Sequence, residues 1–208
     1  MGTGMIWIIF IGIAAVSWLV QMNLQNKFKK YSKIPTGNGM TGADVALKML
    51  HDNGIYDVTV THTPGHLTDH YNPANKTVNL SESVYSSNSI MAAAVAAHEC
   101  GRAVQHARAY APLTMRSKLV PVVSFASQWM TWLLLAGILL LNSCPQLLLA
   151  GIILFALTTL FSFITLPVEI NASKRALVWL SNSGITNSYN HAQAEDALRS
   201  AAYTHILA

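Results

Sequence analysis

Charge is what this 208-residue sequence has least of. Charged residues make up 11% of it and apolar residues 52%, so the charged share is about half that of an ordinary soluble domain. Such a composition excludes a disordered chain, a coiled coil and a nucleic-acid-binding tail. The deficit is also uneven. Residues 1–26 contain no Asp, Glu, Lys or Arg, and neither do the fifty residues 119–168; all 13 basic and all 9 acidic residues fall within 27–118 and 169–199. A bilayer imposes this segregation, because a charge at its centre costs roughly 3 kcal/mol or more. Cysteine is scarce as well. Cys100 and Cys144 form no Cys-x-x-Cys pair, which argues against a disulfide framework and against a thiolate zinc site. The formal net charge of +4 favours anionic surroundings, and its placement matters more than its sum.

The first charge-free block contains the apolar run Met5–Val20. With its uncharged flanks it is just long enough to span a hydrocarbon core, which takes about 17–25 residues. A cleaved signal peptide carries its positive charge before the apolar run. Here Lys27, Lys29, Lys30 and Lys33 come after it, and the block reads as a retained anchor. The second charge-free block divides at Asn142-Ser143-Cys144-Pro145 into Leu119–Leu141 and Gln146–Val168, each 23 residues long. Two such runs joined by a short polar turn predict a transmembrane helical hairpin.

Lysine and arginine counts near the ends set the orientation. Four lysines follow the first span, Arg116 and Lys118 precede the second, and Lys174 and Arg175 follow the third. The N-terminus and the hairpin turn are then outside, and every charge is cytoplasmic. The expected organisation is an anchor over 1–26, a cytoplasmic region over 27–118, a membrane hairpin over 119–168 and a second cytoplasmic region over 169–208. Any active site must be assembled from the two cytoplasmic regions. The lysines at 27–33 read as a topology and lipid-headgroup anchor rather than a nucleic-acid site.

Within the first cytoplasmic region, Thr41-Gly42-Ala43-Asp44 opens a helix in the manner of a capping box, and the helix runs to about Asn53-Gly54. Tyr56–His62 and Thr77–Leu80 read as short strands, separated by a Pro/Gly-broken loop. Ser86–Tyr110 holds eight alanines and no proline, and predicts a helix from about Ser89 to Arg108. Its apolar stretch Ile90–Ala97 is too short and alanine-rich to span a bilayer, so it reads as a helix buried against protein.

That helix contains His98-Glu99-Cys100-Gly101-Arg102, one histidine short of His-Glu-x-x-His. The full motif has a mechanical basis. Residues i and i+4 project from one face of a helix one turn apart, so two imidazoles there hold one Zn²⁺ while the intervening Glu acts as base toward zinc-bound water. The dipeptide alone is weak evidence. Its setting adds weight, because a polar pair among apolar neighbours needs a partner. Glu169, the only acid between Glu99 and Glu195, comes directly after the third predicted span. Taken by itself, Glu169 reads equally well as a snorkelling interfacial residue.

The whole arrangement resembles the YugP-type bacterial membrane zinc metallopeptidases, neutral zinc metallopeptidase family 2. The resemblance is carried by Asp69-His70-Tyr71-Asn72-Pro73, Thr77–Glu82, Ala96-Ala97-His98-Glu99-Cys100-Gly101, Ala103-Val104-Gln105-His106 and Leu166–Ala176. It implies a mainly α membrane protein with about three transmembrane helices and a small α+β cytoplasmic portion built around a zincin-like helix. It further implies a bacterial inner-membrane, multi-pass location and peptide-bond hydrolysis by a zinc-activated water near the cytoplasmic membrane surface. Zn²⁺ is the implied cofactor, with His98 as first ligand, Glu99 as general base and Glu169 as third ligand. Implied substrates are peptides or membrane proteins. Substrate entering as an added strand on a sheet edge would meet Thr77–Leu80, with Val78 and Leu80 as substrate-binding residues. Family members continue past this point into another hydrophobic segment, so the C-terminus at Ala208 is expected to be curtailed.

The sequence departs from the family where it matters most. Position 102, where the family has its second histidine ligand, is Arg. A guanidinium has no lone pair and cannot lose its proton in a protein. An ion pair from Arg102 to Glu169, and to Glu99, in the place of the metal is the expectation. His106 lies about 12 Å along the helix from His98 and cannot replace the ligand. His62, His66 and His70 lie in the Pro/Gly-broken loop, from which one of them could supply a ligand, although ordinary loop or strand-edge histidines are the plainer reading. The readings left are a zinc peptidase impaired at Arg102 and an inactive pseudopeptidase that serves as a binding or scaffold protein. A channel or transporter lacks support, because no ionisable residue lies in the predicted spans.

Overall fold

The computed structural model describes residues 3–140, 144–187 and 189–207. The order of elements is α1 (Thr3–Tyr31), α2 (Gly42–Asp52), β1 (Thr59–Thr63), β2 (His70–Asn72), β3 (Thr77–Ser81), α3 (Glu82–Tyr85), α4 (Ile90–Ala107), α5 (Ala111–Leu139), α6 (Pro145–Asn182) and α7 (His191–Leu207). The chain divides into two compact units, one of Met1–Arg108 with Glu169–Ala208 and one of Ala109–Val168.

The helix starts follow from local chemistry. Thr41 accepts a hydrogen bond from the Asp44 amide at 3.2 Å, and Asp44 accepts one from the Thr41 amide at 3.0 Å. This reciprocal capping box satisfies two of the orphan donors at the start of α2. Ser89 caps α4 by accepting from the Ala92 amide at 3.2 Å. Helix α2 turns Val45, Ala46, Met49 and Leu50 inward, and these pack in one core with Val78, Leu80, Val84 and the alanines of α4. Helix α4 is the centre of the first unit. Fifteen of its 18 residues are buried, from Ile90 to Gln105, so it has no solvent face along most of its length.

The sheet has the order β1-β3-β2. Strand β3 pairs in parallel with β1 and antiparallel with β2. Thr77–Leu80, expected as a sheet edge, is therefore the central strand, and both its backbone edges are already occupied. Val78 and Leu80 are fully buried and point into the core, so neither is available to hold substrate. The difference lies in β2. Its three residues lie between Pro64-Gly65 and Pro73, too short a run for alternation to register.

The second unit is a helical hairpin. The Cβ of any residue replacing Gly137 would come within 2.6 Å of the Leu148 backbone, so glycine is what lets its two helices approach so closely. Among the described residues, two helices are long and apolar enough to cross a membrane: Ala111–Gly137, with mean hydropathy 1.5, and Gln146–Asn182, with 2.5. Only 12% and 6% of their most apolar windows are buried, and Phe125, Trp132, Phe155 and Phe163 are exposed. Large apolar side chains left uncovered on this scale indicate an apolar solvent or a partner surface. The anchor expected at 5–20 lies within α1. Asn142 and Ser143 of the expected turn lie outside the described residues.

Gly101 marks a close approach of α4 to α6. A Cβ there would sit 2.7 Å from the Ala172 carbonyl oxygen, which is backbone and cannot step aside. Gly101→Ala is expected to destabilise the protein by about 1–3 kcal/mol, read as a lowered Tm in detergent. Gly37→Ala, where nothing lies within 4 Å of the new methyl, is expected to change stability by about 0.5 kcal/mol at most.

Candidate functional site

The third turn of α4 carries the polar residues of an otherwise apolar helix, and the start of the second segment of the first unit supplies their counterpart. His98, Glu99 and Arg102 project from α4, and Glu169 projects from α6. Their exposures are 8%, 5%, 8% and 1%. Groups so deeply buried must satisfy one another. Arg102 Nη2 donates to Glu169 Oε2 at 2.6 Å, and Arg102 Nε donates to His98 Nε2 at 3.3 Å. Arg102 Nε is also 3.6 Å from Glu99 Oε2. Glu169 Oε2 lies 3.2 Å from His98 Nε2. The guanidinium therefore sits among three groups that converge on one point.

Around this cluster is a ring of supporting contacts. His98 Nε2 faces both Arg102 Nε and Glu169 Oε2, and its other ring nitrogen, Nδ1, is 3.0 Å from Ser173 Oγ. Glu99 Oε2 accepts the Tyr71 amide at 2.9 Å. Because β2 pairs with β3 through its other side, this amide points outward from the sheet, and the sheet edge ends on Glu99. Ser173 and Tyr71 are functional neighbours that sequence reasoning missed. Ser173 stands at i+4 from Glu169 and so on the same helix face, a spacing that signals it. Nothing local signals the Tyr71 amide.

The electrostatics follow from the geometry. Burial by itself pushes the Arg102 guanidinium toward losing its proton, and the charges of Glu99 and Glu169, with the Glu169 hydrogen bond, outweigh it and push its pKa up. Arg102 is a permanent cation. Nearby, burial pushes the Asp69 carboxyl up, hydrogen bonds from the Ser81 amide and hydroxyl oppose the rise, and the charge of Glu99 adds to it. Asp69 uses those bonds, at 2.7 and 3.0 Å, to tie the loop before β2 to the end of β3. Burial raises the Cys100 thiol strongly, which makes it an inert packing residue.

The residues present do not fit zinc. Zinc needs three or four lone-pair donors at about 2.0–2.3 Å. His98 Nε2 and Glu169 Oε2 face the right place, but the third position is a guanidinium that carries its own charge and donates to both. Among the described residues, no group of three or more His, Cys, Asp or Glu is placed to hold a metal ion. His106 and the histidines of the strand and loop region are engaged elsewhere. His106 Nδ1 is 2.8 Å from the Tyr71 hydroxyl and His70 Nδ1 is 2.8 Å from the Thr68 carbonyl. The His66 ring packs on Phe28 and the His62 ring on Tyr85.

The family described as "Putative neutral zinc metallopeptidase" matches residues 6–208 of the chain. A curated relative from Bacillus subtilis (strain 168), described as "Putative membrane protease YugP", is 43% identical over 202 residues, which cover 96% of this chain and 89% of the relative. No solved structure matches the chain.

Removing one partner of a buried ion pair leaves the other charge uncompensated. Glu169→Gln is expected to cost about 3–5 kcal/mol in thermal unfolding, and the double variant Glu169→Gln/Arg102→Met to recover most of that loss. A double variant no more stable than Glu169→Gln would mean that the pair is not what Glu169 contributes.

Proposed function

The chain belongs to the neutral zinc metallopeptidase family, and from that premise we propose that it is a membrane-bound peptidase by descent whose metal-dependent hydrolysis is disabled at position 102. The observation that carries this reading is the 2.6 Å ion pair between Arg102 and Glu169. A cation that cannot leave stands where the family's chemistry requires one that accepts lone pairs. His98, Glu99 and Glu169 are the remaining parts of the peptidase site. Ser173 holds the His98 ring in the orientation a ligand would need, and the Tyr71 amide holds Glu99.

The relative is named a membrane protease, and two helices of this chain are long and apolar enough to cross a membrane. We take α1 as a third span, with both charged regions in the cytoplasm. Glu169 follows the charge-free residues 119–168 directly, so the site lies close to the cytoplasmic membrane surface. The substrates of an active relative, or of the chain restored by Arg102→His, are then membrane proteins or their juxtamembrane segments. A second reading, a pseudopeptidase that binds without cutting, is favoured by the same ion pair, because Arg102 closes the site without any metal.

Zinc content and peptide hydrolysis, measured on the detergent-purified chain and on Arg102→His, decide between them. The expected outcome is no zinc and no cleavage in the chain as it stands, with about one zinc per chain and measurable cleavage after Arg102→His. Zinc and cleavage in the unaltered chain would overturn the proposal. Zinc without cleavage in Arg102→His would favour the pseudopeptidase. The topology has its own test. Cys144 is half-buried and Cys100 fully buried, so a membrane-impermeant maleimide applied to intact spheroplasts is expected to label Cys144 alone. Labelling that requires permeabilisation would reverse the orientation.

A further inference from the structure

We propose that a cleft between α2, the end of α4 and the later part of α6 binds the headgroup of an anionic phospholipid. The proposal rests on the reading of α6 as a membrane-spanning helix and adds to it a site outside the peptidase centre. The cleft has a volume of 310 Å³, and its walls include Asn53, Asn171, Lys174, Arg175 and Trp179. Met49 and Val104 contribute apolar surface.

The charges in this cleft are not balanced by protein. Lys174 and Arg175 form no ion pair with a carboxylate among the described residues. Arg175 Nε donates to Asn171 Oδ1 at 2.7 Å, and the same oxygen accepts from Gln105 Nε2 at 3.0 Å. The arginine stem is thereby fixed while its two terminal nitrogens remain for another acceptor. Arg108 Nη2 donates to Asn53 Oδ1 at 3.4 Å and brings a third cation to the rim. The acid beside the cleft, Asp52, is taken by Lys48 at 3.0 Å and by Trp179 Nε1 at 3.0 Å. Two to three cations lined by amides and an aromatic wall suit a phosphodiester, which arginine grips bidentately and lysine meets as a point charge.

Position selects a lipid as the source of that phosphate. Lys174 is six residues past Val168, the last residue of the charge-free stretch, and therefore about 9 Å further along the same helix. The headgroup layer extends roughly 5–8 Å beyond the hydrocarbon core. Helical side chains tilt toward the N-terminus of their helix, which for α6 is the direction of the membrane. Lys174 and Arg175 thus reach back into the headgroup layer. The apolar walls accept the glycerol backbone, which a soluble phosphate lacks.

Native mass spectrometry of the full chain in detergent, with phosphatidylglycerol or phosphatidylcholine added, tests this. The unaltered chain is expected to retain one phosphatidylglycerol about 10- to 30-fold more tightly than Lys174→Gln/Arg175→Gln, and about 5-fold more tightly than Lys174→Gln alone. Phosphatidylcholine retention is expected to be the same for all three. Lys76→Gln, an exposed lysine in the turn before β3 and outside the cleft, is expected to leave retention unchanged. Equal phosphatidylglycerol retention by the double variant would overturn the proposal, as would release of the lipid by millimolar inorganic phosphate, which would make this a soluble-phosphate site. Flotation with vesicles after a carbonate wash separates the two readings. A chain that washes off fails as a membrane protein. A chain that stays, with no dependence on Lys174 and Arg175, fails this proposal alone.

Discussion

Glu169 is a carboxylate with 1% of its surface exposed, and a charge so far from water must be met by a cation or must neutralise. Everything at the heart of the first unit is arranged around that requirement. The cation comes from Arg102, one helical turn past His98, and the contact it makes joins α4 to α6. Gly101 lets the two backbones approach at Ala172, which brings a guanidinium on one helix within reach of a carboxylate on the other. Ser173 then meets the second ring nitrogen of His98, and the Tyr71 amide donates to Glu99.

A metal ion and a guanidinium answer the same electrostatic demand in different ways. Both neutralise converging carboxylates. The metal leaves a coordination position open for water and can be removed, whereas the guanidinium fills its place with its own hydrogens and is covalently part of the chain. The cluster is consequently held together by its own charges and hydrogen bonds. On the proposed reading, one residue at position 102 separates retention of the fold from retention of the chemistry, because family membership fixes a fold more firmly than an activity.

Much of the architecture was legible in the sequence because it rests on local rules. The α2 capping box was visible in Thr41 and Asp44, and the limits of α4 were visible in Ser89 and in the alanine run that follows. The two hairpin helices were visible in an absence of charge. The sheet was not legible to the same degree. Thr77–Leu80 alternates and looks like an edge, but strand order depends on which segments pair across the sheet, and β2 is only three residues long. With β2 in place, Val78 and Leu80 belong to the core. The Tyr71 amide escaped notice for a related reason: backbone donors carry no residue-type signal, and only pairing decides which side of a strand they face.

The sequence by itself determined where charge can and cannot be, and hence which segments suit a bilayer. It also determined that position 102 has no lone pair to offer a metal. Those are properties of residue type and spacing, independent of the path of the chain. The pairing of Arg102 with Glu169, 67 residues away, was expected from the family resemblance and from no local rule; only the tertiary structure decided that Ser173 would meet His98, that the Tyr71 amide would meet Glu99, and that the cations of α6 would have no carboxylate partner among the described residues. Long-range encounters depend on how helices pack, and packing is settled by the shapes of faces such as the Gly101–Ala172 contact, which no local pattern encodes.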